Sequence, residues 1–136
     1  MTNKHPERKI QHKIMNWCRD HGLKCYATAN GQFLNSWSAI RERAGMRKGL
    51  PDLFIIIPAN KSIHAQTIMV CMEVKSSVGK ATKEQKEFMS LVNSIKGWVS
   101  GVVVHSLDEA IKYLQPMICT KPELTEAEIE TLVHSL

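Results

Sequence analysis

Apolar residues first recur at helical spacing. Ile10, Ile14, Trp17 and Cys18 stand in a polar stretch that ends at Gly22, a residue suited to closing a helix. With Pro6 at a first-turn position, the pattern predicts a helix over residues 6–21. "LKCYATA" then alternates as a strand does and stops at the turn signal Asn30-Gly31. Residues 35–45, "NSWSAIRERAG", read as a short helix closed by Gly45. In "GLPDLFIIIP" five apolar residues follow Asp52 without a break, which predicts a strand covered on both faces. A polar loop at 58–66 separates it from a second apolar run at 67–75, and the two make most simply an antiparallel hairpin.

The next helix opens at "ATKEQ", where Thr82 and Gln85 have capping-box spacing. Phe88, Leu91, Val92 and Ile95 supply its expected buried stripe and Gly97 its end. "WVSGVVVH" reads as a strand, and "SLDEAIKYL" as a helix with Ser106 as N-cap. Beyond Pro116 and Pro122, "LTEAEIETLVHSL" has a second capping box in Thr125 and Glu128. Its apolar face is Ile129, Leu132, Val133 and Leu136. The chain contains no internal repeat. This order of elements predicts an α/β fold with a mixed sheet and a C-terminal helical tail.

One break in the pattern carries chemistry. Glu73 and Lys75 follow Ile68, Met69, Val70, Cys71 and Met72, where a core strand would continue apolar. Charged side chains are rarely buried without a partner or a bound ion. Alternate strand residues share a face, so Glu73 and Lys75 fall with Met69 and Cys71, while Ile68, Val70, Met72 and Val74 form an apolar face. Antiparallel pairing through the 58–66 loop sets Asp52 opposite the 73–75 end. Two carboxylates and an ammonium would then converge. Such a set suits a hard divalent cation that activates water against a phosphodiester, with the lysine assisting. The same residues also fit a buried Glu73–Lys75 ion pair that only holds the hairpin. Residues two apart on a strand lie ~7 Å from one another, a separation that does not favour direct pairing.

Composition narrows the class of protein. The chain has 136 residues, 43% hydrophobic and 23% charged, as expected of one globular domain. No apolar run reaches the ~20 residues that span a bilayer, and "MTNKHPERKIQHK" lacks the apolar core of a signal peptide. The expected location is the cytoplasm, or the host cytoplasm if the protein is viral. Four cysteines without a CxxC pair read as reduced, mostly buried thiols. The net charge of +5 is unevenly distributed. Residues 1–122 hold all 18 Lys and Arg against nine acids, a net +9. Residues 123–136 hold four acids and no Lys or Arg. A basic body suits nucleic acid. Arg43, Arg47 and Lys48 precede Asp52, and Lys80, Lys83 and Lys86 follow Glu73. Both clusters are candidates for phosphate contacts, with an ordinary solvated face as the alternative. Trp37 and Trp98 read as core or strand residues, and His105 as structural.

The segments "RERAGMRKGLPDLFII", "MEVKSSVGKATKEQKEF" and "GVVVHSLDEAIKYL" together resemble the VRR-NUC (virus-type replication-repair nuclease) family of the PD-(D/E)xK superfamily. The specific part is D-x(20)-E-x-K, preceded by G-x-x-x-G-x-P-D and followed by G-x-x-x-x-x-Q. Ala29-Asn30-Gly31-Gln32 departs from the family's Pro-Asn-Gly-Gly. The resemblance implies a restriction-endonuclease-like sheet flanked by helices over residues 1–114, with 115–136 as a helical tail on the domain or a partner subunit. It implies an Mg²⁺- or Mn²⁺-dependent endodeoxyribonuclease acting on branched DNA such as four-way junctions, and a homodimer. Asp52 and Glu73 would hold metal with Glu7 and the Val74 carbonyl, Lys75 would be the catalytic lysine, and Gln85 would join the site. Glu7 reads equally as a first-turn glutamate on the helix dipole, and Gln85 as a capping residue. A non-catalytic DNA-binding module on the same fold is the alternative function.

Overall fold

In the computed structural model, residues 6–28, 49–119 and 126–136 are described. Helix α1 runs Pro6–Asp20 and turns out through Gly22, whose φ of 74° favours glycine. Four strands come next: β1 (Lys24–Ala27), β2 (Leu53–Ile57), β3 (Ile68–Val74) and β4 (Val99–Val104). Helix α2 (Lys83–Ser94) connects β3 to β4, and α3 (Leu107–Leu114) follows β4. Helix α4 spans Glu126–His134. The expected helix at 35–45, the Asn30-Gly31 turn, Trp37 and the Thr125 cap lie outside the described residues, as do Arg43, Arg47 and Lys48.

The sheet is mixed, in the order β1-β2-β3-β4. β1 and β3 are both antiparallel to β2, and β4 is parallel to β3 because α2 carries the chain back across. The apolar face foreseen for β3 packs as expected. Ile68, Val70, Met72 and Val74 join Leu53, Ile55 and Ile57 in the core, under Ile14 and Cys18 of α1 and Ala110 and Leu114 of α3. After α3 the chain stays on the body: Ile118 is buried and pairs with Ser62 of the β2–β3 connection. All four cysteines are free, with Cys18 and Cys71 buried.

Three expectations need correction. β2 does not bury both faces: Leu53, Ile55 and Ile57 are buried, while Phe54 and Ile56 between them are only half-covered. Helix α2 lies over the β3–β4 half of the sheet, so its apolar cover does not extend across β2. The buried stripe of α2 is Gln85, Met89 and Val92, whereas Leu91 and Ile95 face outward. Gly101 explains this rotation. A Cβ there would stand 2.5 Å from Met89 Sδ, so the glycine opens the slot that Met89 fills. Finally, Trp98 is exposed and tilted against His64, with ring centroids 4.9 Å apart.

Helix α2 also guards the sheet's edge. Asn93 accepts from the Gly101 amide at 2.8 Å and donates to its carbonyl at 3.0 Å, occupying backbone groups that an edge strand leaves open. Residues 126–136 are exposed throughout, including Ile129, Leu132 and Val133 on the apolar face of α4.

Candidate active site

The sheet register brings the two carboxylates together. Leu53 pairs with Met72, so one step further Asp52 stands level with Glu73, as simple antiparallel pairing predicts. Asp52 is held at both ends. Its carbonyl accepts from the Thr28 amide at 2.9 Å, and Oδ2 accepts from the Val74 amide at 2.9 Å. The Thr28 hydroxyl donates to the neighbouring Pro51 carbonyl at 2.8 Å.

Glu73 is 2% exposed, with α2 over its face of the sheet. Its Oε1 accepts from Gln85 Nε2 at 2.8 Å and lies 3.5 Å from Lys75 Nζ. Direct contact between Glu73 and Lys75, unfavoured from strand spacing alone, is therefore made. Oε2 is buried and has no hydrogen-bond partner. Burial first, and then the nearby Asp52 charge, push the Glu73 carboxyl up to about 9 against the pull of Lys75. Asp52 is raised too, by burial first, with the Val74 amide opposing. A buried carboxyl raised this far beside a second raised one marks a place short of positive charge.

Gln85 does two things at once. Its amide donates to Thr82 Oγ1 at 3.2 Å and its Oε1 accepts from the Thr82 amide at 2.8 Å, so both halves of the capping box form. The same side chain spends its Nε2 on Glu73. The first turn of α2 is held near Asp52 by Gly49, whose φ is 91°. A Cβ at Gly49 would lie 2.7 Å from the Glu84 carbonyl oxygen.

Glu7 arrives on the first turn of α1. Its Oε1 accepts from the Ser76 amide at 3.2 Å, and its charge is close enough to raise Asp52. Among the described residues, no three His, Cys, Asp or Glu side chains meet as a metal-holding group. The converged set is Asp52, Glu73, Lys75 and Gln85, with Glu7 held beside it on the Ser76 amide. Lys80, Lys83 and Lys86 are exposed on the loop and first turn that lead from this set. Lys83 lies 3.9 Å from Glu87.

The donor chemistry fits a hard divalent cation. An orphaned Glu73 oxygen and a neighbouring carboxylate are what Mg²⁺ takes from a protein, the rest of its shell coming from water and substrate. Two residues of the site, Thr28 and Ser76, and one contact had no signal in the sequence pattern. Ser76 acts through its amide and Thr28 through its amide and hydroxyl, and the Gly49–Glu84 approach joins segments that are far apart along the chain.

The family model for the VRR-NUC domain matches residues 2–105. The chain belongs to the VRR-NUC family. A solved "VRR_NUC domain protein" is similar to it with a TM-score of 0.56 and 24% identity, over 82% of this chain and 86% of that one. That likeness shows the fold, a mixed four-stranded sheet flanked by helices. No curated protein matches the chain. The VRR-NUC domain is a nuclease-type, DNA-processing domain. Among the described residues, no helix is long and apolar enough to cross a membrane.

Proposed function

We propose that this VRR-NUC chain is a metal-dependent endodeoxyribonuclease that hydrolyses phosphodiester bonds in branched DNA. The observation that carries the reading is the buried, unpartnered Glu73 Oε2 beside Asp52, with Lys75 Nζ 3.5 Å from the other Glu73 oxygen. Asp52, Glu73 and the Val74 carbonyl would hold Mg²⁺ or Mn²⁺, with Glu7 reaching in from α1. The ion supplies positive charge to the phosphate and lowers the pKa of water.

The protein's own groups do the rest. The Val74 amide fixes the Asp52 carboxylate, and Gln85 fixes Glu73, so both are oriented before substrate arrives. The Lys75 ammonium faces negative charge that builds on the phosphoryl oxygens as water attacks phosphorus. The P–O3′ bond breaks, the attacking water loses its proton to solvent, and the 3′-oxygen gains one. Lys80, Lys83 and Lys86, with Arg43, Arg47 and Lys48, would contact backbone phosphates, positioning DNA without reading sequence. Selectivity for branched DNA and a homodimeric state extend the family resemblance to two strands cut at one junction. Residues 115–136 would then serve as the tail that meets the domain or its partner subunit, in the cytoplasm.

The test is cleavage of labelled four-way junction, flap, duplex and single-stranded DNA with Mg²⁺ or Mn²⁺. The expected result is EDTA-sensitive cutting that favours the junction and is lost in Asp52→Asn and Glu73→Gln. Binding of DNA without cleavage by either metal would favour a non-catalytic module on this fold.

A further inference from the structure

β3 and β4 are parallel, so the chain leaves both at the same end of the sheet, and Lys75 N–H donates to the Val104 carbonyl at 2.9 Å there. β3 runs into the turn Ser76–Gly79, closed by the Gly79 amide on the Ser76 carbonyl at 3.0 Å. β4 runs directly into His105. The Ser76 amide is the group on which Glu7 rests. The turn is close against this glutamate: a Cβ at Gly79 would lie 3.3 Å from Glu7 Oε1.

His105 touches the opposite side of that turn. Its Nε2 lies 3.3 Å from the Gly79 carbonyl oxygen and its Nδ1 3.2 Å from Glu109 Oε2. Both partners are acceptors only, so both contacts form only when each ring nitrogen carries a hydrogen. Glu109 is itself anchored. Its Oε2 accepts from the His105 amide at 2.7 Å, and its own amide donates to Ser106 Oγ at 3.1 Å at the start of α3. The His105 amide above all, then the imidazole and Lys112, hold the Glu109 carboxyl below the usual carboxylate range. An ionised, fixed acceptor is thus ready for a charged imidazole.

We infer that His105 is a positioning residue of the site: as an imidazolium it ties the Ser76–Gly79 turn to the start of α3 and so holds the Ser76 amide where it orients Glu7. Its consequence for cleavage rests on the nuclease reading above, but the clamp itself does not. The charged groups around it are Glu109 and Lys112 on α3 and, across the turn, Glu7 on α1 and Lys75 after β3. The clamp also explains why a histidine directly after "GVVV" ends half-exposed at a strand end and yet ordered by two elements.

The test uses ¹⁵N-labelled full-length protein without DNA or metal. In the wild type, long-range ring spectra should show both His105 nitrogens engaged as donors, to Gly79 and to Glu109. His105→Ala should raise exchange at the Ser76 and Gly79 amides by about five- to tenfold, the size of one lost hydrogen bond, with Ile55 and Val70 unchanged. His105→Gln, whose amide still donates to Gly79, should restore part of the protection. A ring that donates from one nitrogen only, or Ser76 and Gly79 exchanging in His105→Ala as in the wild type, overturns the clamp. Loss of protection spread evenly over the sheet does so too. A protein that shows the clamp but cuts no DNA would leave this role standing and fail the nuclease reading instead.

Discussion

The main-chain amide of Val74 donates to Asp52 Oδ2 at 2.9 Å, so the backbone of one strand orients the carboxylate that precedes its neighbour. This separates the charge of Asp52 from its shape. Asp52→Asn keeps an oxygen for the Val74 amide and removes the charge. The fold should remain as stable as the wild type while cleavage disappears. Asp52→Ala leaves a buried N–H without an acceptor and should cost about 1–3 kcal/mol in urea unfolding. Equal destabilisation by the two variants would contradict this division.

Glu73 makes stability depend on pH in an unusual direction. Its folded pKa, about 9, lies above its ordinary value of 4.5, so the folded state binds the extra proton between those limits. The associated stability is fully present below pH 4.5 and is lost as pH rises through 9. Thermal unfolding of the metal-free protein should show this decline, and Glu73→Gln should flatten it. Saturating Mg²⁺ should raise the melting temperature most at the alkaline end, where the carboxylate is free to bind it.

Gln85 and Thr82 share a cap, but only Gln85 reaches the site. Thr82→Ala should cost about 1 kcal/mol of stability and leave Mn²⁺ affinity unchanged. Gln85→Ala should cost at least as much and also weaken Mn²⁺ binding and cleavage, because a buried Glu73 oxygen loses its donor. Calorimetric titration beside denaturation separates the two effects. Identical Mn²⁺ affinities in the two variants would remove Gln85 from the site.

Lys75→Met keeps the length of the side chain and removes its charge. Cleavage should fall by about 10²-fold or more, the scale on which a single charge-stabilising group acts in a transition state. Binding of junction DNA should change little, since Lys75 is one cation among many in a basic body. Gel-shift and single-turnover assays on one preparation check both halves.

Gly49 has a φ of 91° and sits where a Cβ would come within 2.7 Å of the Glu84 carbonyl oxygen. Gly49→Ala should destabilise by about 1–3 kcal/mol through strain and displacement of α2's first turn. Because that turn carries Gln85, Mn²⁺ affinity should fall with it. Unchanged stability in Gly49→Ala would show that the approach is not required.

Local spacing in the sequence determined much of this protein. The 3.6-residue and two-residue periods placed α1, β2, β3 and the helices after them, because a side chain's face is set by its neighbours a few residues away. The same logic put Asp52 level with Glu73, since a hairpin's register follows from its connection, and it identified the Thr82–Gln85 cap. Periodicity did not reveal which stripe of α2 turns inward. That depended on Gly101, a missing Cβ on another strand that admits Met89. Nor did it reveal that Gln85 meets Glu73 twelve positions away, that Glu7 meets Ser76 across 69, or that His105 braces Gly79. Those contacts exist only because α1, α2 and the parallel β3–β4 pair pack around one end of the sheet. Hydrogen bonds between distant segments follow from that packing, which short-range pattern does not encode.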